Sequence, residues 1–138
     1  MRLLTFQARR FAWKSFSRTL DTVPEVDIQD EMEEAVVAFL HLESKDEAED
    51  ERRRVFRHVL KHVKWIAGKK DMTNVVLHSF THLGAENAAP EAAQSFLEEM
   101  AERLRTTDYA VKLTPFGYFC EWELSVHGES LAKVWKQV

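Results

Sequence analysis

Apolar residues recur along the chain with two periods. From Tyr118 they alternate: Tyr118, Cys120, Trp122, Leu124 and Val126 fall on one face, and Phe119, Glu121, Glu123 and Ser125 on the other, which predicts a half-buried strand. Between Arg53 and Gly68 the step lengthens to three and four. Val55, Phe56, Val59, Leu60, Val63 and Ile66 then form one stripe of an amphipathic helix, and Gly68 is a suitable C-terminal cap. A second helix is predicted after Pro90, which sits in the first turn where its missing N–H costs little, with Ala93, Phe96, Leu97, Met100 and Leu104 as its buried stripe. Continuous apolar runs predict strands at Val36–Glu43, Asn74–Ser79 and Tyr109–Leu113. Met1–Phe6 and Phe11–Phe16 read as a hairpin, although the link Gln7–Arg10 lacks an Asn-Gly or Asp-Gly turn. Thr19–Glu34, polar and acidic around Pro24, predicts an exposed loop, and Glu129–Trp135 a short terminal helix. The order β-β-β-α-β-α-β-β predicts an α/β fold, a two-layer sandwich of a mixed β-sheet with two long helices on one face.

Size and charge narrow the possible roles. A chain of 138 residues is one domain, 1–138, with room for a substantial core. No run approaches the roughly 18–20 apolar residues of a membrane span, and the start lacks a signal-peptide core, so the cytoplasm is the expected compartment and no membrane partner is expected. The single cysteine excludes an internal disulfide and a multi-cysteine zinc site. A formal charge of −4 argues against a tight grip on nucleic-acid phosphates. The basic stripe Arg53, Arg57, Lys61 and Lys64 on the first helix, with Lys69 and Lys70 beyond it, carries two readings: a solvated face paired to the helix's own acids, or a track for a phosphate backbone.

Chemistry concentrates in the run Leu113-Thr114-Pro115-Phe116-Gly117-Tyr118-Phe119-Cys120-Glu121-Trp122, where a constrained turn meets an aromatic strand. Pro115 fixes its own φ and holds Thr114 extended, while Gly117 permits a backbone angle or a close approach that a Cβ would block. His82 lies in a strand-to-helix loop, a common place for site residues, and reads either as a structural or as a pocket histidine. His78 belongs to the core or the surface. His58 and His62, four apart, could share a metal, but two ligands without a third predict none. Cys120 has the parity of the buried face. A cysteine–histidine nucleophile would further need mutual contact and an activated thiolate.

Together with Ser79-Phe80-Thr81-His82-Leu83-Gly84 and Val36-Val37-Ala38-Phe39-Leu40, that run resembles the archaeal-type editing domain of threonyl-tRNA synthetase over almost the whole chain. The resemblance implies a D-aminoacyl-tRNA deacylase-like fold, no cofactor, and hydrolysis of seryl-tRNA(Thr) or a related aminoacyl-tRNA ester. Phe80, Thr81 and His82 would line the pocket for the terminal adenosine and the seryl group. Pro115, Phe116, Gly117, Tyr118 and Phe119 would hold the aminoacyl end. The tRNA backbone would follow Arg53, Arg57, Lys61 and Lys64, and a threonyl-tRNA synthetase is the implied protein partner. Homodimers are common in that fold, and Trp13, Trp122 and Trp135 would suit an interface. In the family a lysine that takes part in hydrolysis stands where Cys120 is, a tyrosine where Phe119 is, and a glutamate where Lys133 is. His82 and Cys120 are thus the catalytic candidates and Lys133 a substrate-binding one. These replacements leave a second class open, a non-catalytic module that binds aminoacyl-adenosine or tRNA. A third class is an enzyme acting on a small amino-acid or nucleotide ester.

Overall fold

The longest strand, β1 (Arg2–Arg18), is the spine of a six-stranded mixed sheet. A computed structural model describes residues 1–138. Along β1 runs β2 (Gln29–His41), antiparallel. On its other side β1 pairs with two strands: its first half with β6 (Lys133–Gln137) and its second half with β5 (Tyr118–Val126). Beyond β2 come β3 (Asn74–Ser79) and β4 (Ala110–Leu113), both in parallel register. Parallel neighbours need long crossovers, and the helices α1 (Glu49–Gly68) and α2 (Pro90–Arg105) supply them. Both helices cover the same sheet face, the two-layer α/β arrangement that the hydrophobic pattern predicts. Their stripes bury Val55, Val59, Val63, Phe96, Met100 and Leu104 against Leu3, Val36, Ala38, Val75 and Leu77.

Four local expectations are corrected. The hairpin Met1–Phe6/Phe11–Phe16 is one continuous strand. Its register against β5 slips between Ala8 and Arg10, so Leu4, Phe6 and Ala8 share a face with Phe11 and Trp13, and this parity change imitates a break. The loop expected over Thr19–Glu34 ends at Ile28, because the acidic start of β2 is held by cross-strand cations: Arg10 Nε lies 2.5 Å from Glu31 Oε2, and Lys112 Nζ 2.8 Å from Asp30 Oδ1. The terminal helix is a single 3₁₀ turn at Ser130–Ala132 followed by β6, since pairing with β1 outweighs local helix preference. Gly68 remains helical, and Lys69 is the cap.

The second sheet face has no helix and buries its own core. Phe11, Trp13, Phe39, Val37 and Val76 pack there, with Phe6, Phe80, Cys120 and Leu124 at the margin. Trp122 of β5 lies 4.8 Å from the Phe39 ring and 5.2 Å from His78 on β3, centroid to centroid. Strands three places apart stand about 14 Å from each other in a flat sheet, so this contact needs a curled sheet with both side chains leaning inward. Trp13 is therefore buried at 3% exposure and is unavailable for a partner, whereas Trp122 and Trp135 remain 40% and 55% exposed.

Candidate active site

The carboxyl end of β3, the loop leading to α2, and the turn between β4 and β5 enclose a cleft of about 480 Å³. That volume falls in the range of about 300–1,000 Å³ typical of small-molecule sites. Phe80, Thr81 and His82 form one wall, Pro115 to Cys120 the opposite wall, Thr19 and Leu20 a lip, and the buried His78 the inner end, with the exposed Trp122 beside it.

The turn is locked from outside. Gly117 has φ +79°, and a Cβ there would stand 2.9 Å from Val23 Cγ2. Thr19 N–H donates to Gly117 O at 2.7 Å. The Tyr118 hydroxyl accepts from Val26 N at 2.8 Å and donates to Pro24 O at 2.9 Å. Its polar end therefore fastens the 19–28 segment, and only its ring is left to face the cleft.

The opposite wall hangs on His41, a residue to which the sequence reading gave no role. It ends β2 fully buried, its Nδ1 accepts from Leu83 N at 3.2 Å, and its Nε2 lies 2.8 Å from Glu86 O and 2.7 Å from Asn87 Oδ1. With Nδ1 accepting, the ring proton is on Nε2 and is donated to the loop. A histidine closing an otherwise apolar strand was the available sign. Arg2 Nη1 adds a bond to Leu83 O at 2.8 Å.

The family model described as "Archaea-specific editing domain of threonyl-tRNA synthetase" matches residues 1–138. The chain belongs to that family. It is 28% identical over 142 residues to a threonine–tRNA ligase of Staphylothermus marinus, covering 100% of this chain and 22% of that protein. To the threonine–tRNA ligase of Thermococcus onnurineus it is 33% identical over 103 residues, covering 75% of this chain and 16% of the ligase. It thus spans about a fifth of the length of such relatives. Among solved structures, the c-Myc DNA Unwinding Element Binding Protein superposes with a TM-score of 0.65 at 14% identity, covering 100% of this chain and 99% of that one, which shows a shared fold.

In this editing-family domain the structure gathers Phe80, Thr81, His82 and Pro115 to Cys120 around one cleft. His82 is exposed on the wall, edge-on to the Phe80 ring at 5.1 Å. Cys120 is half-buried without a hydrogen bond to either nearby histidine, and burial pushes its thiol up, away from the thiolate a nucleophile needs. Lys133 does not line the cleft. It opens β6 opposite Phe6, so the strand register carries it away from the Pro115–Cys120 wall. His58 is exposed, while His62 is buried with Nε2 3.1 Å from Thr5 Oγ1, so the pair does not converge. On α1, Arg53 pairs with Glu49 and Lys64 lies 5.9 Å from the Tyr109 ring centroid, whereas Arg57 and Lys61 form no ion pair.

Two histidines of the editing domain are held neutral. Burial lowers His78 to about 4, and burial, aided by Lys136, lowers His62 to about 4. Both stay unprotonated in the fold while the unfolded chain takes up protons below its ordinary value of 6.5. Their contribution is therefore complete above pH 6.5 and is lost as the pH falls toward 4. Denaturant unfolding should show a loss of about 2–3 kcal/mol between pH 7 and 5.5, half of it from each histidine. A His62→Gln/His78→Gln double variant should flatten that slope, and an unchanged slope would assign it to other groups.

No helix is long and apolar enough to cross a membrane.

Proposed function

We propose that this domain clears a wrong amino acid, serine in the first instance, from the terminal adenosine of tRNA(Thr) by ester hydrolysis. The observation that carries the reading is the single cleft formed by the Phe80–His82 loop and the Pro115–Cys120 turn, in a chain of the editing family. Proofreading is needed because one methyl group gives a synthetic site only about 1–3 kcal/mol of discrimination. A small editing pocket reverses the problem by excluding threonine sterically. Main-chain groups at Pro115, Phe116 and Gly117 would hold the aminoacyl end, with the Tyr118 and Phe119 rings beside it, and Phe80, Thr81 and His82 would hold the adenosine. Cys120 packs rather than attacks, and Lys133 stays outside the chemistry. The tRNA backbone would run along Arg57 and Lys61, the two stripe cations free of partners, and Lys64. A threonyl-tRNA synthetase would supply effective concentration to an acidic domain that binds free tRNA weakly. An interface between two copies would use the exposed Trp122 and Trp135.

A second reading, a binding module that no longer hydrolyses, is favoured by Cys120, whose thiol is uncharged where the family has its lysine. A deacylation time course on seryl- and threonyl-tRNA(Thr), with a D-aminoacyl-tRNA alongside, separates the two. Selective loss of the seryl ester is expected. His82→Ala should weaken turnover about 10-fold or more, as for a positioning contact, and Cys120→Ala should stay within about threefold of the parent. No hydrolysis of any ester by folded protein would leave the binding module.

A further inference from the structure

We propose that His78, through its Nε2–H, is the hydrogen-bond donor that receives the carbonyl oxygen of the ester in the cleft. The inference rests on the deacylase reading above. His78, the next-to-last residue of β3, lines the inner end of the cleft, and its Nδ1 lies 2.7 Å from Thr114 Oγ1, on the residue that precedes the Pro115 turn.

The hydroxyl decides which ring nitrogen carries the proton. Thr114 is 7% exposed, and its side chain has no hydrogen-bond partner other than His78. Were Nδ1–H the donor, the threonine proton would be buried without an acceptor, at a cost of about 1–3 kcal/mol. With the hydroxyl donating to Nδ1, that proton is satisfied and the ring proton must sit on Nε2. Nε2 has no hydrogen-bond partner within the protein, and His78 lines the cleft, so that nitrogen is the ring donor left for a ligand there.

Aromatic neighbours fix the ring. Phe39 lies 4.9 Å from it, Trp122 stands edge-on at 5.2 Å, and Phe80 lies at 6.1 Å, all centroid to centroid. The same enclosure keeps the imidazole neutral, so it donates a hydrogen bond without serving as a proton carrier. Water attacks the ester carbon, and the carbonyl π pair moves onto the oxygen, which accepts a hydrogen bond from Nε2–H. Collapse restores the carbonyl and expels the ribose oxygen, which takes the proton the water loses. Free amino acid and tRNA result, and His78 keeps its proton throughout. With an uncharged thiol at Cys120 and Lys133 outside the cleft, a fixed neutral donor is the group on the inner wall suited to a developing oxyanion.

The test measures kcat and KM on seryl-tRNA(Thr) for His78→Ala, His78→Gln and Thr114→Val, with affinity for a non-hydrolysable seryl-adenosine amide alongside. His78→Ala should lose about 10²-fold in kcat with KM and amide affinity within about threefold. His78→Gln, which keeps a donor near the same point, should recover most of that loss, and it carries the test with Thr114→Val if the alanine variant fails to fold. Nitrogen-15 spectra of the imidazole should show the Nε2–H tautomer, with that proton moving downfield when the amide binds. Turnover by His78→Ala within about threefold of the parent, or an Nδ1–H tautomer, overturns the proposal. If the parent hydrolyses no ester, the deacylase reading falls. The spectra still decide the donor role: a downfield shift on amide binding supports it, and no shift overturns it.

Discussion

Phe39→Ala is expected to remove about 3–5 kcal/mol of folding stability, the cost of emptying a buried phenylalanine site. Phe39 is 3% exposed two residues before the end of β2 and touches Phe6, Phe11, His78, Phe80 and Trp122. No second layer covers this face, so the vacated space can close only if Trp122 drops inward or the sheet flattens. Either movement shifts the inner end of the cleft. A loss of that size is about a fifth or more of the roughly 5–15 kcal/mol that holds a domain together. Phe96→Ala, on the helix face, serves as the comparison. It should cost a similar amount in denaturant unfolding, because Phe96 is 1% exposed, yet leave the His78 and Trp122 environment intact. Equal disturbance of Trp122 fluorescence by both variants would show that the two cores are not separable.

The coupling of that core to the cleft explains what the sequence made legible and what it hid. Asn74–Ser79, the helix beginning at Pro90 and the alternation after Tyr118 were readable because period and punctuation agree with the tertiary role of each segment. The turn of the cleft was readable for the same reason: Pro115 fixes its own φ, and Gly117 supplies the φ of +79°. β1 was hidden by its own irregularity. A register slip near Arg9 moves the apolar face by one residue, and a pattern reader takes that for two strands. β6 was hidden because its pairing with the first half of β1 is an affair of long separation that no local window contains. The histidines show the same limit most sharply. His41, His62 and His78 are all buried, and only their partners distinguish them: Leu83 and the Glu86–Asn87 segment, Thr5, and Thr114, lying 36 or more residues away in sequence from His41, His62 and His78 respectively.

Gly117→Ala should destabilise the domain by about 2–4 kcal/mol and loosen the cleft lip, from two sources that can be separated. The first is conformational: at φ +79° an L-residue is strained by about 1–2 kcal/mol. The second is steric, since the new Cβ would lie 2.9 Å and 3.0 Å from the two γ-methyls of Val23. Those methyls cannot swing aside freely. Val23 sits in the segment pinned by the Tyr118 hydroxyl at Pro24 and Val26 and by Arg18 Nη1 at Val23 O, 3.1 Å. Val23→Ala removes the methyls and leaves the φ strain. In a double-mutant cycle the Gly117→Ala penalty should therefore shrink by about 1–2 kcal/mol on the Val23→Ala background, while the remainder persists. Affinity for the seryl-adenosine amide should follow the same order, because Thr19 and Leu20 form the lip that the displaced segment carries. Full additivity of the two substitutions would mean that the turn is held by backbone conformation alone, with no contribution from its fit against Val23.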